Sequence, residues 1–265
     1  MNDATRWLVL VVLVGGILAA FYYYWQQNVQ QSPSLVEAPS PQAEIQPAIR
    51  HPIQPAGEAN PLPPLDDSDA ATRDALAGLL SQDWIQEFFQ LEGIVRRLVV
   101  TIDNLPRRQV PLKYMPVKPT GPRFLAIGEE KNLFLNPDNY RRYTPYVRLA
   151  EAVETKKLVT GYVHFYPLFQ QAYKDLGYPS GYFNDRLVEV IDNLLAAPDI
   201  KGPVKLVQPK VMYQFADPDI EARSAGQKIL IRMGSENAGR IKAKLHEIRR
   251  ELTSQTPDLR SPAAG

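Results

Sequence analysis

Apolar side chains recur at helical spacing through most of residues 68–253. In the stretch 91–103 they repeat every three or four positions, and Pro106 prevents the helix from continuing. Pro167 is expected to kink the long helix that ends at Gly177. Apolar spacing, capping residues and prolines together predict the helices. They cover residues 68–80, 91–103, 155–177, 182–196, 217–234 and 235–252, and two shorter helices begin after Asn136-Pro137 and after Thr144-Pro145.

The helical spacing disappears between residues 110 and 135. Two short apolar runs, 124–127 and 133–135, flank a polar stretch that begins with Gly128 and ends with Asn132, which is typical of a hairpin. Because an isolated hairpin is only marginally stable, we expect it to pair with another extended segment such as 204–207. The predicted fold class is therefore mainly α (α+β), a multi-helix globular domain with a small β-hairpin.

The N-terminal pattern differs, since residues 7–25 contain no charged side chain. Nineteen helical residues would extend about 28 Å, close to the ~30 Å hydrocarbon core of a bilayer. The run ends in aromatic residues, and Arg6 precedes it, whereas the next basic residue is Arg50. This predicts a transmembrane helix with a cytoplasmic N-terminus and the following chain in the periplasm of a Gram-negative bacterium. A signal peptide cleaved near Ala20 is the alternative.

The composition of residues 26–67 cannot support a buried core, because proline, glutamine, serine and alanine dominate it. The chain is thus divided into a cytoplasmic terminus and anchor (1–25), a disordered proline-rich linker (26–67), a helical periplasmic domain (68–253) and a disordered tail (254–265). The absence of cysteine excludes disulfides, cysteine-ligated zinc and a thiol nucleophile. With a net charge of +1, nucleic acid is not an expected partner.

Three carboxylates form the best candidate for catalysis, because Asp185, Glu189 and Asp192 share one face of a predicted helix. Paired carboxylates can divide the acid and base roles in glycoside cleavage. The alternative is a solvated helix face. His164 is a further catalytic candidate, next to a backbone carbonyl that Pro167 leaves free, or else a half-buried structural histidine. No metal-ligand spacing and no cofactor motif occurs, so we expect neither a metal nor a cofactor.

Aromatic residues cluster around two helix breaks. Such residues are enriched at binding surfaces and in sugar-binding clefts, but they are equally common in protein cores. The candidate binding residues are Tyr162, Tyr166, Tyr178, Tyr182 and Phe183.

Three stretches of the chain resemble a known family: GYFNDRLVEVIDNLL from Gly181, LVQPKVMYQFADP from Leu206 and SAGQKILIRMG from Ser224. The chain is similar to uncharacterised membrane-anchored proteins of Gram-negative bacteria that are grouped as a domain of unknown function. That resemblance covers anchor, linker and domain, and it implies no catalytic residues.

The strong signals are thus an anchor and a tether, whereas each catalytic signal is weak. We expect a non-enzymatic interaction, scaffold or assembly-factor module of the cell envelope, held in the inner membrane by residues 7–25 and bound to an envelope protein or a cell-wall partner. The alternative is a cell-wall glycan hydrolase or glycan-binding protein that uses the helix carboxylates and tyrosines.

Overall fold

The computed structural model describes residues 48–53, 61–121, 123–129 and 132–254. The predicted membrane span, much of the predicted linker and nearly all of the predicted tail lie outside these ranges. No helix within these ranges is both long enough and apolar enough to cross a bilayer.

The described residues form a mainly helical domain with a small antiparallel sheet, which confirms the predicted fold class of the globular part. The helices in chain order are α1 (Asp69–Ala77), α2 (Gln82–Phe88), α3 (Ile94–Asn104), α4 (Asp138–Ala152), α5 (Thr155–Asp175), α6 (Phe183–Leu195), α7 (Pro218–Glu221), α8 (Ala225–Arg232) and α9 (Ser235–Ser254). The strands are β1 (Ala126–Ile127), β2 (Leu133–Leu135), β3 (Lys205–Val207) and β4 (Gln214–Phe215).

The sheet has the strand order β1-β2-β3-β4, with each neighbouring pair antiparallel. The predicted hairpin is β1 and β2, and the predicted third segment is β3, where Leu133 lies opposite Leu206. Strand β4 was not predicted, because two residues are too short to show alternation. One face of the sheet packs on the domain through Leu135, Leu206 and Phe215, which are buried.

Four helices, α3, α5, α6 and α9, form the centre of the helical part. Val95 and Val99 of α3 pack in one buried cluster with Phe165 of α5 and Phe183 of α6, while Leu252 of α9 is buried beside α5 and α6. This cluster lies directly beneath the start of α6. It therefore fixes the position of the residues that form the candidate site described below.

Three predicted helix limits were wrong. Ser68 does not cap α1 with its side chain; its hydroxyl donates to the carbonyl of Leu65, and α1 ends at Ala77. The two helices predicted after Pro137 and Pro145 are one helix, α4, because the buried residues Val147 and Leu149 hold the turns beyond Pro145 in place. A proline removes one helical hydrogen bond, and tertiary packing compensates for it here.

The third difference lies in residues 217–234, which form α7 and α8 instead of one helix. The Ser224 hydroxyl accepts a hydrogen bond from the Gln227 N–H and so begins α8 as a new helix. Gly226 permits a close approach to Leu194 of α6 and to Leu105, which follows α3. Gly234 ends α8 in a left-handed conformation (φ +82°) against the ring of Tyr140, which favours glycine at this position.

Candidate functional site

A groove of about 470 Å³ lies at the N-terminal end of α6. We call it the α6 groove, and its walls come from the C-terminal end of α3, the C-terminal part of α5 and the first turns of α6. Its lining side chains in the domain are Asp103, Tyr173, Tyr178, Ser180, Tyr182, Asp185, Arg186 and Glu189.

The side chain of Gln170 on α5 holds the start of α6 in place. Its Oε1 accepts the Phe183 N–H at 2.9 Å, and its Nε2 donates to the Gly181 carbonyl at 2.7 Å. One of the N–H groups that every helix leaves without a helical partner is thereby satisfied. The groove residues Tyr182 and Asp185 are thus carried on a fixed helix start.

Residues 48–53, which we call the docked segment, lie along the edge of this groove, where Ala48 and Arg50 contribute to its lining. The Asp185 carboxylate accepts two hydrogen bonds from consecutive backbone amides, Arg50 N–H at 2.9 Å and His51 N–H at 2.7 Å. The Tyr182 hydroxyl accepts the Ile53 N–H at 2.6 Å. Three main-chain donors of the docked segment therefore have acceptors on α6 or at the residue immediately before it.

Main-chain and side-chain contacts complete the docking. The Asn184 side-chain amide, which is fully buried, donates to the His51 carbonyl at 2.8 Å. Ile53 is only 7% exposed and joins the buried cluster that contains Phe183. Arg50 is mostly exposed, with its Nε 4.0 Å from the Asp185 carboxylate. Part of the predicted linker thus contacts the domain through its main chain, which bends at Arg50 and His51.

A buried carboxylate, Asp103, forms the floor of the groove and was missed by sequence reasoning. Asp103 is only 2% exposed. Its carboxylate accepts hydrogen bonds from Arg186 Nε at 3.0 Å, Arg107 Nη2 at 2.7 Å and the Tyr178 hydroxyl at 3.2 Å. The negative charge of Asp103 raises the pKa of Arg107. The network joins α3 to α6, which fixes one wall of the groove.

The sequence did contain a signal for Asp103. Val95, Val99 and Asp103 follow one another at intervals of four, so a carboxylate continues the buried stripe of α3. A charged residue on an apolar stripe predicts a buried ion pair.

The three predicted helix carboxylates do not act as a set. Asp185 and Glu189 line the groove, and Glu189 accepts a hydrogen bond from Arg186 Nη1 at 2.8 Å. Asp192 instead pairs with Arg249 of α9, with an Nε–Oδ1 distance of 2.5 Å, outside the groove lining. No group of three or more potential metal-ligating side chains occurs within the described ranges.

His164 lies away from the groove lining. It is half-buried on α5, with its ring packed edge-to-face on Phe165 at a centroid distance of 4.9 Å. Among the described residues, no carboxylate, hydroxyl or second histidine forms a hydrogen bond with His164.

The five predicted aromatic residues divide into two layers. Tyr178 and Tyr182 are half-buried and line the groove. Phe183 and Tyr166 lie beneath them in the core, at 0% and 5% exposure. Tyr162 is also beneath, where its hydroxyl donates to Asn184 Oδ1 at 3.2 Å, and burial raises its pKa well above the usual value. Tyr178 and Tyr182 can therefore contact a ligand, while the other three support the groove.

Tyr173 connects the two layers. Its ring stacks on Tyr178 at 4.5 Å, and its Cε1 lies 2.8 Å from where a side chain on Gly181 would begin. Burial, followed by the charge of Asp103, raises its pKa to about 12. This part of the groove wall is therefore desolvated.

A separate cavity of about 340 Å³ lies among α1, α3, α5, α6 and α9. Its lining is almost entirely apolar, with Leu98, Phe169, Leu187 and Leu245 on different helices. Gly161 of α5 lines it too, and a side chain at that position would meet no atom within 4 Å. Half-buried apolar side chains thus surround an open space beside a helix-interior glycine.

A family model described as "Protein of unknown function (DUF3014)" matches residues 94–249. The chain belongs to this family. The matched range of the DUF3014 domain contains every domain residue that lines the α6 groove, whereas the docked segment precedes it. The chain matches no curated protein and no solved structure.

Proposed function

We propose that this chain is a membrane-tethered interaction module of the cell envelope, and that its DUF3014 domain binds a peptide segment at the α6 groove through the main chain of that segment. The supporting observation is the docking of residues 48–53, whose backbone makes four hydrogen bonds with Tyr182, Asn184 and Asp185. A site that pairs with backbone groups and buries one side chain follows the general logic of peptide recognition, in which main-chain bonds contribute affinity and a pocket contributes selectivity.

The tether and the compartment are part of the same proposal. Residues 7–25 hold the chain in the inner membrane with the N-terminus in the cytoplasm, and the domain lies in the periplasm. An envelope protein, or a protein attached to the cell wall, then supplies the peptide. The proline-rich composition of residues 26–67 suits a spacer between membrane and partner.

The glycan-hydrolase alternative requires two carboxyl groups with different roles, one of which delivers a proton to the leaving group. The carboxylates that line the groove all accept hydrogen bonds instead: Asp103 from two arginines, Asp185 from two backbone amides and Glu189 from Arg186. This arrangement favours peptide binding over glycoside cleavage, and the hydrolase stays the second candidate.

A photo-crosslinking amino acid at Ser180 tests the proposal, because Ser180 is exposed and lines the groove. The full chain is expressed in its native membrane, illuminated and analysed by mass spectrometry. Glu236, exposed at the start of α9 and outside the groove lining, is the matched control. We expect a partner crosslinked from position 180 and not from 236, and its loss when Asp185→Asn is added. The same crosslinks from both positions would contradict the proposal.

A further inference from the structure

We infer that residues 48–53 are an internal ligand of the α6 groove and that the partner presents the same sequence pattern. That pattern consists of a basic residue, a variable residue, a proline and an aliphatic residue, in this order. The pattern is that of Arg50, His51, Pro52 and Ile53. This inference rests on the proposed function and names the class of peptide that the groove takes. It also makes the partner a competitor of the chain's own segment.

Proline is accommodated because the hydrogen bonds that hold the segment use the N–H groups of other residues. Acceptors on Asp185 and Tyr182 receive the N–H groups of residues 50, 51 and 53, and proline has no N–H to leave unpaired. Proline also disfavours helical conformation in the residue before it, which restricts the conformations open to His51. A preordered peptide loses less conformational entropy on binding.

The position after proline is an apolar pocket. Ile53 is 7% exposed and belongs to the cluster of Ile94, Val95 and Phe183. A charged residue there would have to be buried without a partner, so the pocket selects an aliphatic side chain.

The groove selects the charge of the first residue of the pattern, Arg50, less strictly than it selects the aliphatic side chain of Ile53. Arg50 lies 4.0 Å from the Asp185 carboxylate, but its side chain is 64% exposed, so the pair is screened by water. The groove also carries Glu189, whose side chain is 54% exposed. A basic residue at this position is favoured by the acidic lining, and a neutral one is tolerated better than an acidic one.

Linkage within the same chain gives the docked segment an advantage over an external peptide. Only residues 54–60 separate Ile53 from Pro61, where the described domain begins. A ligand on a short linker competes at an effective concentration on the order of millimolar. An external peptide of the same sequence therefore binds measurably only when the internal segment has been displaced.

The test uses a fluorescent peptide of residues 48–53, acetylated and amidated at its ends, and the purified full chain in detergent. Ile53→Asp in the protein disrupts its own segment and leaves every side chain of the DUF3014 domain unchanged. Ile49→Asp is the matched control, because it makes the same change on the same segment at a side chain that is 50% exposed. We expect Ile53→Asp to bind the peptide about tenfold more tightly than wild type, and Ile49→Asp to behave as wild type, because the occupied groove reduces apparent affinity.

Variant peptides test the backbone contacts. His51→Pro in the peptide removes the N–H that Asp185 Oδ1 accepts, whereas His51→Ala keeps it. We expect the first change to abolish binding to Ile53→Asp protein and the second to preserve it. Hydrogen exchange on the wild-type chain gives a second measurement that needs no variant: excess peptide should accelerate exchange of the Arg50 and His51 amides.

Equal peptide affinity for wild type and Ile53→Asp, or no binding to a folded Ile53→Asp protein, would overturn the inference. Unchanged exchange of the two amides at saturating peptide would do the same. These results are separate from the crosslinking experiment. If a partner is crosslinked from position 180 but the peptide does not compete, only the peptide pattern is wrong. If the variants bind the peptide with the expected relative affinities but no partner is crosslinked, the inference of an internal ligand is supported and the proposed cellular role is wrong.

Discussion

Oδ1 of Asp185 accepts a hydrogen bond from the backbone N–H of His51 at 2.7 Å, across 134 residues of sequence. The other carboxylate oxygen accepts the neighbouring amide of Arg50. A carboxylate can accept both bonds at once, because it has acceptors and no donor. This single side chain therefore distinguishes the docked segment from a peptide that merely lies on the surface.

Asp185→Asn should release the docked segment. An asparagine amide presents one oxygen and one NH₂ group, so one of the two backbone N–H groups would face a donor. Hydrogen bonds to charged groups contribute about 1.5–3 kcal/mol, and we expect the docking free energy to fall by about that amount. Hydrogen exchange of the amides of Arg50 and His51 should become faster.

Asp192→Asn is the control for this change, since Asp192 lies on the same helix and pairs with Arg249 instead. Exchange of residues 50–51 should not respond to it. Protection that survives Asp185→Asn would show that the two hydrogen bonds do not hold the segment.

Asp103→Ala should destabilise the whole domain. It removes the buried acceptor of Arg186, whose side chain is 17% exposed, and breaking a buried pair on one side costs about 3–5 kcal/mol. Asp192→Ala breaks an ion pair in which both side chains are more than a third exposed, so a loss of at most about 1 kcal/mol is expected. Urea unfolding of both variants, followed by circular dichroism, measures the difference. Similar midpoints for the two would refute a structural role for the Asp103 network.

Helix α3 and the hairpin were predictable because their signals are local. Apolar residues three and four apart define one face of α3, and turn residues mark both ends of the loop between β1 and β2. The continuity of α4 through Pro145 was not predictable, because it depends on packing of Val147 and Leu149 against distant residues. Helix α2 was missed for a similar reason, since seven residues show too little periodicity.

Alkaline pH should reduce stability, and Tyr173 is one of the buried tyrosines that should contribute to the loss. Burial raises its pKa to about 12 in the folded protein, against about 10 when unfolded. Because the folded-state pKa is the higher one, the neutral phenol stabilises the fold fully below pH 10, and this contribution is lost as pH rises towards 12. Because one proton is involved, the free energy of unfolding should fall by at most about 1.4 kcal/mol per pH unit.

The Tyr173→Phe variant should therefore lose stability less steeply between pH 10 and 12. Urea midpoints at several pH values measure the slope, and absorbance at 295 nm follows ionisation of the phenols. Tyr178→Phe is not a neutral control because it removes a donor to Asp103, so Tyr213→Phe, outside the groove lining, serves instead. Parallel slopes for wild type and Tyr173→Phe would contradict the prediction.

Two glycines should respond oppositely to replacement by alanine. Gly161→Ala should raise the free energy of unfolding by about 1 kcal/mol, because glycine is unfavourable in a helix interior and the new methyl group meets no atom within 4 Å. Gly234→Ala should lower it by about 1–2 kcal/mol or more, because its left-handed conformation disfavours a side chain.

Thermal and urea unfolding measure both changes. The ring of Tyr140 adds to the cost at position 234, since its nearest atom lies 2.7 Å from where the alanine Cβ would be placed. Gly239→Ala, on an exposed part of α9 with open space around it, is the control for helix propensity alone. A destabilised Gly161→Ala variant would mean that the cavity beside α5 is already filled.

The predicted topology can be tested with reporter fusions. Alkaline phosphatase, which is active only outside the cytoplasm, should be active when joined after residue 67, because Arg6 precedes the apolar run and no basic residue follows it before Arg50. A reporter active only in the cytoplasm should be inactive at the same junction. The reverse result would refute the orientation, and a mature protein that begins near Ala20 would refute the anchor.

The candidate site was predictable only in part. Asp185, Glu189, Tyr178 and Tyr182 were selected from helix spacing and aromatic clustering, and all four line the groove. Their occupant was not predictable, because Arg50 and Ile53 lie in a proline-rich stretch whose composition indicates no fixed contact. Three of the four hydrogen bonds to the segment are donated by backbone N–H groups, which every residue except proline carries, so the amino-acid sequence gives little sign of them.

Along the chain, the docked segment lies between the proposed membrane tether and the helical domain. A pull on the chain ahead of Ala48 is carried first by the hydrogen bonds at Tyr182, Asn184 and Asp185 and by the burial of Ile53, before any load reaches α1. When those bonds yield, residues 48–53 become available as slack, with a fully extended length of roughly 20 Å. The acceptors on Tyr182 and Asp185 would then be free, so tension on the proposed tether and access to these acceptors would be coupled.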